Sequence, residues 1–307
     1  VKLRWLPASG MYASGSSGPL ADLLRHLLLP AGVALRPLGW PLLALAFLAP
    51  REQVPHGQVE VWQLDVGQGL AMLLRTRHHT LLYDAGPTLR DLDQGERVVV
   101  PFLRSQGIHE LDLMLISHAD SDHAGGALAV RRALNVKQVI SGDVPGLPAQ
   151  LQAQPCAAQD GWEWDGVRFS LWQWPDASNG NQKSCVLLVQ AGDERLLLTG
   201  DIDAQAERAF LRSPLAVPVQ WLQAPHHGSR TSSSRVFLNA LSAQHVLISR
   251  GAGNSFGHPH PQVLARYRAL GMTVLDSAEQ GAVRLSLGAK GVALGERQQR
   301  RFWRLDG

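Results

Sequence analysis

Two histidines and two aspartates lie close together in the chain, at His118, Asp120, Asp122 and His123. Their alternation places imidazole and carboxylate groups in one small volume, and both groups are good ligands for Zn, Mn or Fe. Two carboxylates so close together repel each other, and a bound cation offsets that repulsion. Because a helix N-cap turn needs one such residue and not four, the pattern predicts a metal site rather than a polar cap.

Two further pairs of histidines lie in similar surroundings, His226 with His227 and His258 with His260. Each pair follows a strand-like run or lies in a loop bounded by Gly or Pro, and Asp201 follows an apolar run in the same way. Folds of the α/β type place their sites where strands end at one rim of a sheet. The recurrence of this arrangement favours one shared site.

The elements that must position these groups are mostly strands. The apolar run 111–116 predicts a buried strand directly before the first cluster, and 127–134 predicts a helix directly after it. Similar runs bounded by turn residues predict roughly a dozen strands with a few interspersed helices. One predicted hairpin turns at Asp165 and Gly166. The pattern indicates an α/β or α+β protein with more than one sheet.

The composition is that of a folded protein. The chain has 307 residues, 45% of them hydrophobic, and a formal net charge of +3. It has no low-complexity tract, so a disordered chain is excluded. Mild basicity is compatible with an anionic substrate but does not identify one. The two cysteines, Cys156 and Cys185, lack metal-type spacing, so the metal site depends on histidine and aspartate.

The N-terminal region differs from the rest. Residues 1–19 are rich in Gly and Ser and predict a flexible arm or the edge of a larger protein. Residues 20–50 are largely apolar, and their two apolar runs together are long enough to span a bilayer although they include Arg36 and prolines. We expect a transmembrane or membrane-associated segment; a buried helix or hydrophobic flap is the alternative. The segment lacks the organisation of a secretory signal, and residues 51–57 predict a linker.

The first cluster, followed by Gly125 and Gly126, resembles the H-x-H-x-D-H signature of the metallo-β-lactamase superfamily. Five motifs in order are similar to the hydrolase domain of the ComEC family, membrane proteins that take single-stranded DNA into bacteria during natural transformation. The motifs lie at 64–69, 82–86, 118–123, 198–201 and 225–229. The resemblance implies a metallo-β-lactamase-like αββα sandwich of the α/β class over residues 58–290, followed by a basic tail at 291–307. Residues 20–50 would then be the last membrane segment of the channel.

The resemblance also implies two divalent metal ions. The ligand set it implies is His118, Asp120 and Asp201 for one ion and Asp122, His123 and His226 for the other, with Asp201 shared. His227 is the alternative to His226 as the last histidine ligand. Asp120 stands where most members of the superfamily have a second histidine, and no histidine lies between His123 and Asp201. The first site is therefore rich in oxygen ligands, which favours Mn over Zn. The polar residues nearest the missing ligand are Asn179, Asn181 and Ser184.

Hydrolysis of a phosphodiester also needs groups that move a proton and bind phosphate. Besides Asp122, the candidate catalytic residues are His227, His258 and His260, each of which could protonate the leaving oxygen. The candidate substrate-binding residues are Lys183, Ser229, Arg230 and Ser232. The alternative for each of these four residues is a position in an exposed loop that binds no ligand.

The function expected from the resemblance is a two-metal nuclease that acts on DNA at the channel, on a single strand or on the strand that is not imported. Its expected partners are DNA, the bacterial cytoplasmic membrane and other proteins of the DNA-uptake machinery. One alternative is a hydrolase of a lactam, lactone or thioester. The other is a non-catalytic module that binds metal or DNA and gates the channel.

The two cysteines bear on the question of which side of the membrane the catalytic domain lies on. Cys156 lies just before the predicted Trp-rich hairpin, and Cys185 begins the strand after it. A hairpin packed beside that strand would bring the two Cα atoms within the roughly 4.4–6.8 Å that a disulfide requires. We therefore expect a Cys156–Cys185 bond and an extracytoplasmic catalytic domain, because reducing compartments disfavour disulfides. Two buried free thiols are the alternative.

Overall fold

The computed structural model describes residues 53–89, 92–158, 161–289 and 294–295. The described elements all belong to one unit, Val54–Gly307. The predicted N-terminal arm and membrane segment, the first two residues of the predicted linker and most of the predicted tail lie outside the described residues. No helix in the described part of the chain is long and apolar enough to cross a membrane.

The strands lie where runs of apolar or alternating residues occur in the sequence, with Gly or polar residues between them. In chain order they are β1 Val59–Gln63, β2 Met72–Arg75, β3 Thr80–Tyr83, β4 Thr88–Leu89, β5 Leu92–Asp93, β6 Glu110–Ile116, β7 Asn135–Ser141, β8 Gln154–Pro155, β9 Trp162–Trp164, β10 Val167–Trp172, β11 Val186–Ala191, β12 Glu194–Leu198, β13 Trp221–Gln223, β14 His245–Ile248, β15 Thr273–Asp276, β16 Val283–Leu287 and β17 Leu294–Gly295.

The helices connect these strands and are short. In chain order they are α1 Val100–Ser105, α2 Ser121–Ala124, α3 Ala127–Ala133, α4 Ala204–Phe210, α5 Arg235–Leu241, α6 Pro261–Ala269 and α7 Ser277–Gln280. A π-helical turn, Gly95–Val99, leads into α1. Side-chain caps fix several helix starts; the Asp203 carboxylate, for example, accepts the backbone N–H groups of Gln205 and Ala206 at the start of α4.

The described strands form two large sheets and a small hairpin. The first sheet has the order β17-β16-β1-β2-β3-β6-β7-β8, and the second has the order β15-β14-β13-β12-β11-β10-β9. Strands β3, β6 and β7 run parallel, as do β12 to β15. The remaining pair, β4 and β5, forms the hairpin.

Both faces of each large sheet are covered. In β1, Val59 and Val61 pack between the two sheets, whereas Trp62 packs on the outer face with Leu103 of α1 and Val130 of α3. Successive side chains of a strand point to opposite faces, so one strand contributes to both cores. The outer face of the second sheet packs against apolar side chains of α4, α5 and α6, among them Phe210, Phe237 and Tyr267. The layer order is helix, sheet, sheet, helix, which confirms the predicted αββα sandwich.

Two local predictions about the second sheet are confirmed. The hairpin β9–β10 turns at Asp165 and Gly166, whose φ angles of 51° and 81° suit the tight turns that join antiparallel strands. Cys156 and Cys185 form a disulfide with a Cα–Cα distance of 5.9 Å. The bond joins the segment just before this hairpin to the start of β11, next to the loop that follows β6.

The ends of the strands bring the polar residues of the sequence together at one rim. Strand β3 leads into Asp84, β6 into the segment 117–123, and β12 into Asp201. Strand β13 leads into the turn Pro225–Gly228, and β14 into Ser249. Because the carboxyl ends of neighbouring parallel strands lie at the same edge of a sheet, these residues form one site.

Candidate metal centre

Four side chains at this rim form a cluster. Asp122, His123, Asp201 and His227 each offer one ligand atom, and these atoms all lie within 4.8 Å of one another. Asp122 and His123 lie in α2, Asp201 follows β12, and His227 follows β13. Three of the four are buried and Asp122 is partly exposed. The cluster therefore has one side open to solvent, where a substrate can enter.

Asp84 fixes the orientation of the His123 ring. Its Oδ2 lies 2.7 Å from Nδ1 of His123. The same carboxylate accepts the Ser117 backbone N–H at 2.6 Å and the Ser117 hydroxyl at 2.8 Å. An ionised carboxylate can only accept hydrogen bonds, so Nδ1 of His123 carries a proton. The other ring nitrogen, Nε2, then faces Asp201, whose Oδ1 lies 3.1 Å away.

A backbone carbonyl fixes the orientation of the His227 ring. Nδ1 of His227 lies 2.8 Å from the carbonyl oxygen of Ser249, to which it donates a hydrogen bond. Its Nε2 therefore faces the cluster, 3.2 Å from Oδ2 of Asp122 and 3.2 Å from Nε2 of His123. Ring nitrogens held in this way through their outer N–H are typical of histidines that bind metals.

The charges of the cluster favour a bound cation. Burial raises the pKa of Asp122, but the neighbouring His123 and His227 outweigh burial and lower that pKa to about 2. Burial likewise raises the pKa of Asp201, and the same two histidines hold it well below its usual value. For His123, burial lowers the pKa, whereas Asp201 and Asp122 raise it well above its usual value. Both carboxylates are therefore ionised and attract positive charge.

The residues present fit a divalent metal ion. Two carboxylates and two imidazoles are a donor set that Zn and Mn accept. Nitrogen lone pairs of His123 and His227 that face each other at 3.2 Å repel unless a proton or a cation lies between them. Asp201 Oδ1 and His118 Nε2 are buried and have no hydrogen-bond partner among the described residues. Buried polar atoms are rarely left without a partner, and a metal ion would satisfy both.

His118 and Asp120 lie beside this cluster. His118 is buried, and its Nδ1 lies 3.0 Å from the hydroxyl oxygen of Ser117. Its Nε2 lies 3.5 Å from Oδ2 of Asp120, whose side chain is 56% exposed. The His118 ring lowers the pKa of Asp120, so this carboxylate is also ionised. Both residues lie beside the cluster of four and are not members of it.

The structure places His227, the alternative to His226 in the sequence prediction, in the cluster of four, and it places His226 beside the cluster. Nε2 of His226 lies 3.7 Å from Oδ2 of Asp201, and a quarter of its side chain is exposed. Both histidines have a left-handed backbone, with φ angles of 50° and 53°, and this turn directs His227 into the cluster. Of the two histidines considered as the last ligand, the structure therefore favours His227. As a member of the cluster, His227 is not placed to protonate a leaving group.

His258 and His260, both expected to act as acids, differ in position. The ring of His258 lies 5.5 Å from that of His226 and 6.4 Å from that of His227, measured between centroids. Burial lowers the pKa of His258 to about 4. His260 instead caps α6, where its Nδ1 accepts the backbone N–H of Gln262. The structure thus brings His258 to the site and assigns His260 to the helix start.

The four predicted phosphate contacts also differ. Nζ of Lys183 is paired with Oδ1 of Asp143 at 3.0 Å. Ser229 and Ser232 are buried, and the Ser232 hydroxyl donates to the carbonyl of Pro225 at 2.7 Å, inside the turn that carries the histidines. Of the four, only Arg230 is exposed and has no hydrogen bond or ion pair with another described residue.

Two residues that support the site, Asp84 and Ser249, have no role assigned from the sequence, whereas Ser184 is one of the three candidates for the missing ligand. Asp84 follows a strand, as the predicted ligands do, so its position was the available signal. The Ser184 hydroxyl accepts the backbone N–H of Asp201 at 3.0 Å and lies 3.4 Å from Nδ1 of His118. The hydroxyl of Ser249 donates to the carbonyl of Gly69 at 2.6 Å. No sequence signal distinguishes Ser249.

The family follows from a comparison with known proteins. Residues 64–251 match the family described as the Metallo-beta-lactamase superfamily. The chain belongs to this superfamily. Its fold is similar to that of the metallo-beta-lactamase fold protein YhfI from Bacillus subtilis, with a TM-score of 0.52 and 11% sequence identity over 75% of this chain and 99% of that one.

Curated relatives place the chain more narrowly. It is 40% identical to Competence protein ComA of Neisseria gonorrhoeae over 87% of this chain and 38% of that protein. It is 34% identical to Recombination protein 2 of Haemophilus influenzae over 76% of this chain and 29% of that protein. It is 28% identical to ComE operon protein 3 of Bacillus subtilis over 73% of this chain and 32% of that protein. The chain spans about a third of the length of these relatives. They confirm the resemblance to the metallo-β-lactamase-like domain of the ComEC family.

Proposed function

We propose that the chain is the hydrolase domain of a DNA-uptake membrane protein and that it is a metal-dependent phosphodiesterase acting on DNA. The observation that carries the proposal is the cluster Asp122, His123, Asp201 and His227, in which both histidines are held with Nε2 toward the carboxylates. The similarity to Competence protein ComA and to Recombination protein 2 supports DNA as the substrate.

Two ions would occupy the site. The cluster of four would hold one, and His118 and Asp120 would hold the other with Asp201 between them. Divalent ions in such a pair supply Lewis acidity, because they offset charge on a phosphoryl oxygen and lower the pKa of water. Three of the six ligands are carboxylates, and the site of His118 has no second imidazole among them. That donor set favours Mn at the site of His118 and accepts Mn or Zn at the cluster.

The neighbouring histidines supply neutral rings to the open side of the site. Burial lowers the pKa of His226 and that of His258, so both are uncharged near neutral pH. A ring whose pKa is about 4 is almost wholly deprotonated at pH 7 and is poorly suited to protonate a leaving oxygen. We therefore assign His258 and His226 to accept a proton or a hydrogen bond. Exposed Arg230 is the candidate contact to a phosphate group.

In the whole protein the domain would act where DNA reaches the channel, and it would degrade or process the strand that is not imported. The cytoplasmic membrane and other proteins of the uptake machinery are the proposed partners. The disulfide between Cys156 and Cys185 supports an extracytoplasmic position for the domain, because such bonds persist in oxidising compartments.

The test is hydrolysis by the purified 307-residue chain, first stripped with a chelator and then given Mn²⁺ or Zn²⁺. Single-stranded DNA, duplex DNA and the lactam nitrocefin are offered in parallel, and we expect metal-dependent cleavage of DNA. The matched variants are Asp122→Asn in the cluster and Asp193→Asn in the exposed turn between β11 and β12, at the end of β12 remote from Asp201. Nitrocefin hydrolysis without DNA cleavage would replace the proposal by a small-molecule hydrolase. Metal binding without any hydrolysis would indicate the gating module.

A further inference from the structure

An exposed aromatic ring lies next to the metal centre. Phe256, in the loop between β14 and α6, is 68% exposed. Its ring stacks on that of His258, with 5.8 Å between centroids and 26° between planes. His258 in turn contacts the rings of His226 and His227. One histidine ring therefore separates the phenyl ring from the cluster.

The loop that presents Phe256 is held by hydrogen bonds around Asn254. The side-chain amide of Asn254 donates to the carbonyl of Gly251 at 3.1 Å and to that of His258 at 2.6 Å. Its amide oxygen accepts the backbone N–H of His258 at 3.0 Å. A loop fixed in this way on both sides of the aromatic residue loses little conformational entropy when a ligand binds. The exposed ring is therefore pre-organised for contact.

Phe256 also differs chemically from the other exposed apolar residues. Among the described residues, the remaining exposed large hydrophobic side chains are Leu89, Leu92, Val236 and Leu270. These are aliphatic and present no flat face. An aromatic face stacks on any nucleobase, and such a contact contributes about 1–3 kcal/mol per base to binding.

We propose that Phe256 is a stacking platform for an unpaired nucleobase of the strand whose phosphodiester lies at the metal centre, an inference that rests on the proposed function. The bases of a duplex are covered on both faces by their neighbours, and exposing one costs a few kcal/mol. The platform thus selects single-stranded over duplex DNA, and it favours a polynucleotide over a small lactam or lactone. The contact depends on no particular base, so cleavage is expected to be tolerant of sequence.

The test compares two substitutions in the full chain. Phe256→Leu keeps an apolar side chain but removes the flat face, and Phe256→Trp keeps the face. We expect Phe256→Leu to lower kcat/KM for single-stranded DNA by roughly 5- to 150-fold, the range that corresponds to the loss of one stacked base. Phe256→Trp retains the rate, and the control Val236→Ala, at an exposed position on α5, changes nothing.

A second readout is independent of turnover. A phosphorothioate oligonucleotide that carries 2-aminopurine at successive positions is mixed with the metal-loaded chain, and its fluorescence is recorded. Stacking on Phe256 quenches one position in the wild type and in Phe256→Trp but not in Phe256→Leu. If the wild type cleaves DNA and Phe256→Leu cleaves it equally well, the stacking proposal is wrong while the proposed nuclease activity is retained. If the wild type cleaves no DNA, the proposed nuclease activity is wrong. The fluorescence then tests the stacking proposal by itself: a quench that depends on Phe256 supports the proposal, and the absence of such a quench overturns it.

Discussion

Oδ2 of Asp84 lies 2.7 Å from Nδ1 of His123, and neither side chain is accessible to solvent. A buried carboxylate loses hydration, and the loss is offset only by its hydrogen-bond donors. Asp84 has three such donors, one from His123 and two from Ser117. The pair therefore ties the carboxyl end of β3 to the ligand loop after β6, and it determines which nitrogen of His123 can bind a metal.

The first prediction concerns this pair. Asp84→Asn keeps the size of the side chain but removes the charge and one acceptor oxygen, so the His123 ring loses its preferred tautomer. We expect metal affinity to fall by about 10- to 100-fold, the usual effect of losing a group that orients a ligand. Competition with a chelator measures the affinity, and Asp193→Asn is the control. An affinity equal to that of the wild type would show that Asp84 acts only on folding.

The second prediction concerns Asp122, a cluster member whose side chain is one-third exposed. Asp122→Ala removes a ligand without opening a cavity in the core, so the fold should persist. We expect hydrolysis to fall by at least about a hundredfold, more than when an orienting group is lost. Metal content and rate are measured on a variant whose circular dichroism matches that of the wild type. Near-normal hydrolysis would exclude the mechanism that depends on this ion.

The third prediction separates the two adjacent histidines. His227→Ala removes a buried ligand of the cluster, whereas His226→Ala removes a ring at the open side. We expect His227→Ala to lower the number of ions bound per chain and His226→Ala to leave it unchanged while lowering the rate. Elemental analysis after dialysis gives the ion count, and His109→Ala, at an exposed position, is the control. Loss of an ion from His226→Ala alone would restore the assignment made from the sequence.

Most of the arrangement is predictable because the ligands follow strands that the sequence marks clearly. The apolar run before His118 forms β6, and the run before Asp201 forms β12. Strand ends of parallel neighbours meet at one edge, so the position of the site follows from element boundaries alone. The hairpin at Asp165 and Gly166 is predictable for a similar reason, since the turn chemistry is local.

The features of the site that could not be predicted from the sequence depend on tertiary contacts. His226 and His227 are the same residue type at adjacent positions, and only the left-handed backbone of both decides which ring enters the cluster. His260 looked like a site residue because it is close to His258 in the chain, yet it caps α6. The β4–β5 hairpin was not predicted because its strands have two residues each, too few to show a period.

The fourth prediction concerns pH and stability at the rim opposite the metal centre. Burial raises the pKa of Asp165, but hydrogen bonds from Thr76 and His78 outweigh it and lower that pKa to about 2. A carboxyl group whose pKa is lower in the folded state stabilises the fold at pH values above its unfolded pKa of about 4. This contribution disappears as the pH falls through 2. Asn also tolerates the left-handed backbone of this turn, so Asp165→Asn removes the charge and one acceptor oxygen without straining the turn.

We expect Asp165→Asn to lower the free energy of unfolding by about 2 kcal/mol at pH 7, as for hydrogen bonds to a charged group. The difference from the wild type should shrink as the pH falls toward 2. Urea unfolding at several pH values measures this difference, and Asp176→Asn, at an exposed position, is the control. A difference that does not change with pH would mean that the variant is destabilised by lost packing or hydrogen bonds and not by the loss of the charge.

The fifth prediction concerns the disulfide between Cys156 and Cys185, which are separated by 29 residues in the chain. A loop of that length restricts the unfolded chain enough to stabilise the fold by about 3–4 kcal/mol in the chain-entropy account. We expect the double variant Cys156→Ser, Cys185→Ser to unfold at lower urea concentration than the oxidised wild type. The reduced wild type should match the variant, which separates the bond from the cost of the two substitutions. Mass spectrometry of alkylated, unreduced protein from its native compartment then tests the location: an intact bond supports an extracytoplasmic domain, whereas two alkylated thiols would place the domain in a reducing compartment.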